Sequence, residues 1–347
     1  MNKRNLFIGV AALGFSAFCG TSALAQTDVT KLLITSNKDD LTKLGQTYLN
    51  PLFKGLTTGL NSGWNNTAKT KKFGRFDIRV SASGAFIPAS DQLFDITQIG
   101  LSSNIRPSDP NKVTTPTVAG SNNQNDAAMV DVYDGSTLVQ SNVNLPSGTG
   151  LDIAPAPQIQ ATIGLPKGID ATIRFVPSIK LGDKGAVRMI GGGLKVNLMQ
   201  FINCKKVDKL NPFDLALAAG YTQINYDLDL NVQANGSNYT NQSLSGKISG
   251  FSIETIISKK LSFFTPFASV GYNSSKINID LKGDYPIDVA NTGTNTVVSN
   301  PFTIDTKGIN GLRGNVGFQL ELFILRLYAS YTVAHYNSVN AGIGLGI

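Results

Sequence analysis

The chain contains 347 residues, carries a formal net charge of +7 and has a mean hydropathy of zero. Only 15% of its residues are charged and 35 are glycine, whereas soluble domains average about 25% charged residues. This composition argues against an ordinary soluble domain and favours a wall with one face in lipid. The excess of Lys and Arg would suggest nucleic acid as the partner of a cytoplasmic protein, but the export signal described next argues against that and favours anionic lipid headgroups.

Residues 1–25 are predicted to be a secretory signal peptide. Lys3 and Arg4 precede an apolar run over residues 6–18, and small residues end at Ala25, so cleavage is expected before Gln26. The run is shorter than the roughly 20 residues that a membrane-spanning helix needs, and no later segment is both long and apolar enough. A mature chain that enters a membrane must therefore do so as a β-barrel, and the expected location is the outer membrane.

Residues 26–72 are predicted to form an amphipathic helix and a plug-like segment. Apolar side chains recur at helical spacing with Pro51 interrupting the pattern, and a Gly- and Asn-rich stretch follows. A helix beside a barrel lies either at the membrane surface or inside the lumen, and the sequence leaves both placements open. The candidate plug residues are Tyr48, Phe53, Leu60 and Trp64.

Residues 73–347 are predicted to form an all-β domain, namely a transmembrane antiparallel β-barrel. Phe76, Ile78 and Val80 alternate with Asp77 and Arg79, which gives a strand one apolar and one polar face. Several segments with this alternation exceed the ~5–6 residues of soluble strands and reach the ~9–11 that a membrane strand needs. A soluble β-sandwich would also alternate and is the alternative fold.

The barrel is expected to have about 10–12 strands, within a range of about 10–14, and an even number. Long outer loops are expected near 88–155 and 283–307, because outer loops exceed periplasmic turns in length. A hairpin near 94–101 and 128–145 would raise the number of strands from about ten to about twelve. The ten predicted strands are 73–87, 156–165, 168–181, 186–200, 213–232, 242–257, 261–282, 308–322, 325–333 and 338–347.

Polar side chains on these strands are expected to face the lumen. Charges enclosed by the wall must be hydrated or paired, so they either hold the plug or tune what passes. The lumen-facing candidates are Arg75, Asp77, Arg79, Arg174, Lys195, Arg313, Gln319 and Glu321.

The last strand is expected to lie beside the plug. Gly342, Gly344 and Gly346 share one face, where low bulk leaves room for a close approach, and they are the candidate plug contacts. A strand that ends the chain also resembles the signal read by the outer-membrane assembly machinery, although Ile347 replaces the usual aromatic residue.

The sequence predicts no catalytic, metal or cofactor site. Cys204 is the only cysteine after export, so neither an intramolecular disulfide nor a Cys cluster for zinc is expected. The single histidine, His335, with Ser330 or Ser338 nearby, leaves a lipid hydrolase as an alternative. The five-residue offset from Ser330 would place that pair on opposite faces of a continuous strand.

Two stretches resemble an uncharacterised family of outer-membrane β-barrels of the Bacteroidota type, known as a domain of unknown function. The first runs from Tyr48-Leu49-Asn50-Pro51 through Lys54-Gly55-Leu56 and on over residues 59–68, and the second covers residues 157–177 with Gly164-Leu165-Pro166 and Arg174-Phe175. The resemblance implies membership over nearly the whole mature chain. This family is broadly similar to the long-chain fatty-acid transporters of the outer membrane, which are barrels with an N-terminal hatch.

The leading functional hypothesis is a channel or transporter for a small hydrophobic solute, gated by the N-terminal segment. The first alternative is a non-transporting surface barrel whose outer loops bind a ligand or partner. The second is the lipid hydrolase that uses His335. The expected partners are outer-membrane lipid, the assembly machinery and a small hydrophobic solute, with no nucleic acid and no cofactor.

Overall fold

A computed structural model describes residues 38–180, 185–202, 212–229, 242–288, 295–300 and 302–346. The signal peptide with its cleavage near Ala25, Cys204 and Ile347 lie outside these residues. The helices are α1 (Lys38–Asn61) and α2 (Met199–Ile202), with single 3-10 turns at Ala89–Asp91 and Gln124–Asp126. The strands are β1 (Phe76–Phe86), β2 (Leu93–Asp95), β3 (Ile105–Pro107), β4 (Thr114–Pro116), β5 (Met129–Asp134), β6 (Thr137–Asn144), β7 (Ile153–Leu165), β8 (Ile169–Lys180), β9 (Gly185–Asn197), β10 (Asp214–Asp229), β11 (Ser243–Ser258), β12 (Phe264–Lys282), β13 (Asp284–Asp288), β14 (Asn295–Ser299), β15 (Phe302–Lys307), β16 (Gly311–Leu322), β17 (Leu325–Val333) and β18 (Ser338–Gly346).

Ten long antiparallel strands close into a barrel. Each of β7 to β12 pairs with its neighbour in the chain, β12 pairs with β16, and β16, β17 and β18 follow in order. The first strand, β1, pairs with β7 on one side and β18 on the other, which closes the ring. The predicted fold class, an all-β transmembrane antiparallel barrel with about ten strands, is confirmed.

The two ends of the barrel differ. At the short-turn end β7 connects to β8, β11 to β12, and β16 to β17 through few residues. At the long-loop end residues 87–152 leave the wall and form two small sheets, β2–β4 and β3–β5–β6, which we call the cap. The hairpin that would have made twelve strands belongs to this cap rather than to the wall.

The predicted outer loop at 283–307 is shorter than expected. Its first part forms the β13–β14 hairpin, but β15 extends the wall along the outer half of β12. The reason is that Ile304 is buried between the exposed Thr303 and Asp305, so β15 alternates like the strands beside it.

On one side of the barrel, formed by β8 to β12 and β15, the inward side chains change from polar to apolar along each strand. We call this the tall side. On the half of β12 nearest the short-turn end, Val270 faces outward with 67% of its surface exposed, while Ser269 and Asn273 are buried inside. On the outer half, Ile277 and Ile279 are buried inside and polar residues face outward. The apolar side chains in the outer half of β10 likewise turn inward, with Ile224 buried.

Helix α1 lies inside the barrel and explains this reversal. Its apolar side chains Phe53, Leu56 and Leu60 pack against the inward apolar side chains of the tall side. Burying this surface from water stabilises both partners, at about 25 cal/mol per Å². The wall members of this cluster are Val176, Met189, Ile224, Ile248, Ile277, Ile279 and Ile304.

The N-terminal segment runs through the length of the lumen. The first turns of α1 lie at the long-loop end, where Leu41 and Leu44 pack against the cap and Asp40 accepts hydrogen bonds from Ser102. Beyond Asn61 the chain continues through the lumen and reaches the short-turn end before β1 begins at Phe76. We call residues 38–72 the plug.

Candidate functional site

The C-terminal end of α1 is held by side chains of the barrel wall. The last backbone carbonyls of a helix lack partners within the helix and carry its negative dipole end, and the last turn of α1 contains no basic residue of its own. Instead, Gln158 donates to the carbonyl of Gly59 at 2.8 Å. Arg174 donates to that of Leu60 at 2.6 Å and Arg313 to that of Asn61 at 2.6 Å.

The same side chains follow the backbone past the helix. Arg174 also donates to the carbonyl of Ser62 at 3.2 Å, and Arg79 donates to that of Gly63 at 3.0 Å and to that of Trp64. Gln160 adds a bond to the Trp64 carbonyl at 3.1 Å. Six consecutive carbonyls, from Gly59 to Trp64, thus accept hydrogen bonds from the wall.

Three guanidinium groups therefore converge on one stretch of backbone, and we call Arg79, Arg174 and Arg313 the arginine triad. Glu254 is the carboxylate beside them, 2.9 Å from Arg313, with both side chains at most 4% exposed. Glu254 also accepts from Ser269 at 2.8 Å and from Asn65 of the plug at 3.0 Å. Asp77, two residues before Arg79 on β1, attracts that guanidinium as well. Two carboxylates thus serve three cations, and the helix dipole and the carbonyls must stabilise the remaining charge.

Trp64 fixes the plug against the wall directly below the helix. The Arg174 guanidinium lies 3.8 Å from the centre of the indole ring, a cation–π contact shielded from water. On the other side the ring packs on Gly193 and Gly220, and a Cβ atom at Gly193 would lie 2.9 Å from it. These two glycines are required because any side chain there would occupy the position of the ring.

The predicted glycine contacts need correction. Atoms of the wall itself lie nearest to a Cβ added at the three glycines of β18: Ser81 at Gly342, Arg79 at Gly344, and Arg326 with Asp77 at Gly346. Low bulk there makes room for inward side chains of β1 and β17. Five glycines of the barrel approach the plug closely: Gly193 and Gly220 at Trp64, Gly250 at Asn61, Gly308 at Thr57, and Gly164 at Lys71 and Lys72.

Below Trp64 the plug is fixed by a second set of wall residues. Lys195 donates to the carbonyls of Thr67 and Lys69, both at 3.1 Å, and forms a salt bridge of 3.0 Å with Asp170. Asp170 in turn accepts from the backbone N–H of Lys71 at 2.8 Å. These contacts hold an extended segment that has few bonds of its own.

Most of the predicted lumen-facing residues lie inside the wall. Asp77, Arg79, Arg174, Lys195, Arg313 and Gln319 are buried there. Glu321 is half-buried and pairs with Lys260 near the short-turn end. Arg75 is the exception, because it is exposed just before β1, where the alternation of the strand has not yet begun.

The predicted plug residues divide between two environments. Phe53, Leu60 and Trp64 lie in the lumen, whereas Tyr48 contacts the cap, donating to the carbonyl of Ser147 at 2.8 Å. Four further lumen-facing residues were not predicted from the sequence, namely Gln158, Gln160, Asp170 and Glu254. All four occupy inward positions in alternating strands, so the same parity argument would have found them.

A second cluster at the long-loop end ties α1 to two loops, and we call it the outer clasp. Lys54 of α1 forms a salt bridge of 3.0 Å with Asp91 of the cap, and Tyr336 of the β17–β18 turn donates a hydrogen bond to the same carboxylate. Burial, together with this bond, raises the pKa of Tyr336 well above its usual value. His335 is exposed and stacks on Tyr336 with ring centres 5.6 Å apart.

The serine and the histidine of the hydrolase alternative lie in different environments. Ser338 is buried, with its hydroxyl 3.1 Å from that of Ser62 in the plug, whereas His335 is exposed. Within the described part of the chain, no group of three His, Cys, Asp or Glu side chains is placed to hold a metal ion. No helix among the same residues has the length and apolar character needed to cross a membrane.

The chain matches one protein family over its full length. A family model described as a family of unknown function (DUF6588) matches residues 1–347, which bears out the predicted resemblance to a family without assigned function. No curated protein matches the chain in sequence.

Solved structures give distant likenesses only. The outer membrane protease OmpT from Escherichia coli is 10% identical, with a TM-score of 0.33 over 81% of this chain and 100% of that one. The toluene transporter TodX of Pseudomonas putida is 8% identical, with a TM-score of 0.31 over 85% and 74%. The translocator domain of the autotransporter NalP from Neisseria meningitidis is 10% identical, with a TM-score of 0.25 over 80% and 89%. The fold assignment therefore rests on the strand order of the chain itself.

Proposed function

The chain belongs to DUF6588, a family of unknown function, and for it we propose an outer-membrane channel or transporter that is held closed by its own N-terminal plug. The solute is small and hydrophobic. The Bacteroidota-type origin and the similarity to long-chain fatty-acid transporters, both implied by the sequence resemblance, belong to this proposal.

One observation carries the proposal, namely the contact between the wall and the end of α1. Three successive carbonyls, those of Gly59, Leu60 and Asn61, accept bonds from three different strands. The wall binds the backbone at a helix end rather than particular side chains of the helix, and water can replace such bonds in a polar lumen. A shift of α1 along its axis breaks all three together, which suits a gate with two positions.

The apolar cluster above the triad supports a hydrophobic solute. If α1 shifts, the inward apolar side chains of the tall side lose the cover that Phe53, Leu56 and Leu60 provide. Exposing that surface to water costs free energy in proportion to its area. A hydrophobic solute that covers it offsets the cost and thereby favours the shifted position of α1.

The proposal extends to catalysis, to partners and to a second candidate function. We assign no catalytic role, because His335 is exposed on a turn while Ser338 is engaged with Ser62. We further propose that outer-membrane lipid surrounds the outward apolar side chains of the strands, such as Val270 and Ile343, which we call the apolar band, and that the outer-membrane assembly machinery inserts the barrel. A surface barrel that binds a partner is the second candidate, and the folded cap favours it, since loops that only connect strands rarely build two sheets of their own.

A disulfide between plug and wall tests the gate. The hydroxyl oxygens of Ser62 and Ser338 are 3.1 Å apart, so Ser62→Cys with Ser338→Cys, in a Cys204→Ala background, places two thiols within bonding reach. We expect oxidation to abolish conductance in planar bilayers and reductant to restore the level of the background protein. The Ser62→Cys single variant is the control and should not respond to oxidation. Equal conductance before and after cross-linking would overturn the gate, and a background protein that never conducts would favour the surface barrel.

A further inference from the structure

The short-turn end of the lumen contains a strongly basic cavity. Its volume is about 220 Å³, and it lies where the plug leaves the barrel. The plug contributes Lys69, Lys71 and Lys72, and Arg75 follows just before β1. Two wall residues complete the set of six cations, Lys260 and Arg326.

The acidic side chains nearby balance only part of this charge. Glu321 lines the cavity and pairs with Lys260. Asp77 lies behind it, 3.0 Å from Arg326 and 3.7 Å from Lys71. Two more carboxylates lie just beyond the lining: Asp170, which pairs with Lys195 and also acts on Lys71, and Asp214, which acts on Lys69. Four carboxylates thus serve seven cations, Lys195 included, and the remaining positive charge is concentrated in a concave mouth rather than spread over an open surface.

Lys71 is a largely buried cation of this cavity. Burial is the main cause that lowers the pKa of Lys71 to about 8; Asp77 and Asp170 act against it, and repulsion from Lys195 and Arg326 adds to it. An ammonium group in these surroundings gains from any further negative charge that comes within a few ångströms.

We propose that this cavity binds a phosphate-bearing anion, which bridges the plug and the barrel wall. The guanidinium groups of Arg75 and Arg326 supply paired donors that match phosphate oxygens, and the lysines supply point charges. Thr70 and Thr265 line the same space, and a hydroxyl group can donate a further hydrogen bond to an anion. A volume of about 220 Å³ accommodates one phosphate ester or a pyrophosphate group, not a folded partner.

The anion also affects the position of the plug, and this consequence rests on the proposed gate. Three of the cations belong to the plug, and the wall cations face them across the cavity. Without an anion the two sets repel each other, whereas an anion between them attracts both. Binding therefore stabilises the seated plug and raises the barrier to its displacement.

Binding is measured on the full mature chain in a non-ionic detergent, where gating plays no part. Pyrophosphate is titrated by calorimetry and by the fluorescence of Trp64, the only tryptophan of the chain, which lies directly above the segment that lines the cavity. We expect saturable binding that weakens at least tenfold in the double variant Lys72→Gln with Arg75→Gln, since each charge-assisted bond contributes about a factor of ten. Both side chains are exposed, so the variant keeps the fold.

Lys259→Gln is the matched control, because Lys259 is exposed at the same end of the barrel but does not line the cavity. Its affinity should equal that of the wild type. Absence of saturable binding, or equal weakening in the control and the double variant, would overturn the site while leaving the gate untouched. A failed disulfide test would overturn the gate while leaving the site intact.

Two sources of the anion are then distinguished in vesicles. If phosphatidylglycerol, compared with phosphatidylcholine, lowers the affinity of the wild type for pyrophosphate, the occupant is a lipid headgroup. If the affinity is the same in both lipids, the occupant is a soluble phosphate ester. Either result supports a phosphate site, provided that the double variant has lost it.

Discussion

At the scale of single residues, the arginine triad shows how a barrel can bury cations with few acids. Arg174 is fully buried, and apart from the Gln160 side chain its bonds go to plug carbonyls. Desolvation of a guanidinium costs several kcal/mol. Hydrogen bonds to charged groups return roughly 1.5–3 kcal/mol each, and a helix C-terminus adds up to about 2 kcal/mol. The balance is favourable only while the plug is in place, so the triad couples the stability of the wall to the plug.

We expect Arg174→Met to loosen the plug. The change leaves the carbonyls of Leu60 and Ser62 without donors and removes the cation above Trp64. The free energy of unfolding in urea should fall by roughly 2–5 kcal/mol, and the emission of Trp64 should shift to the red. Arg188→Met, at an exposed position of β9, is the control and should change neither. Unchanged Trp64 emission in Arg174→Met would contradict the role of the triad.

The sequence predicts that the three arginine side chains point into the lumen, but not which groups they bind there. Alternation in a strand is enough to turn Arg79, Arg174 and Arg313 inward. Their acceptors are backbone carbonyls about fifteen to two hundred and fifty residues away in the chain, and no side-chain pattern marks a carbonyl. The plug contacts of Gly193 and Gly220 were missed for a similar reason, because only the packing of Trp64 distinguishes these two glycines from those of β18.

At the scale of elements, α1 is held at two places by different chemistry. Its C-terminal end is bound by the triad, and its middle is bound by the outer clasp of Lys54, Asp91 and Tyr336. Partial burial acts to raise the pKa of Asp91, but the bonds from Tyr336 and Lys54 outweigh it and hold this pKa below its usual value. The positive field of His335 acts in the same direction as these bonds.

The outer clasp should therefore weaken in acid. A depressed carboxyl pKa stabilises the folded state above the unfolded value, about 4, and this contribution is lost as the pH falls through the lower folded value. At pH 7 we expect Asp91→Asn to lower the melting temperature by about 2–4 °C, the shift that ~1 kcal/mol causes in a chain of this size. As the pH falls below about 4, the difference between the variant and the wild type should shrink steadily. Asp134→Asn, in an exposed turn of the cap, is the control, and a difference that persists in acid would contradict the assignment.

The elements themselves were largely predictable. The ten predicted strands correspond to the ten of the barrel because alternation over about ten residues is a strong and local signal. The cap and β15 were missed because their strands are short and their partners are distant in sequence, so no local period reveals them. The lumen position of α1 could not be chosen over the membrane surface, because an amphipathic helix suits either surface.

At the scale of the whole molecule, the reversal of polarity marks where the tall side leaves the membrane. Three aromatic side chains are exposed on the outer surface at the height where the outward side chains change from apolar to polar: Tyr221, Phe251 and Tyr272. Tyr221 is paired directly with Phe251, and Tyr272 with its neighbour Ile253, so the three form part of a belt. Aromatic residues favour the interface between hydrocarbon and headgroups. The tall side therefore extends beyond the membrane as a wall whose apolar face covers α1.

This boundary can be tested on a single strand. Val270 and Asn278 both face outward on β12, but Val270 lies within the apolar band and Asn278 lies beyond the aromatic belt. An arginine on the lipid face near the middle of a bilayer costs about 2–4 kcal/mol, falling to about 0–1 near the interface. Val270 is one outward position inside the aromatic belt, so we expect Val270→Arg to lower the free energy of unfolding in lipid vesicles by an amount between these limits, and Asn278→Arg to leave it nearly unchanged. Because both substitutions introduce the same side chain, equal losses at the two positions would mean that the outer half of β12 is also surrounded by lipid, and the apolar lining around α1 would then need another explanation.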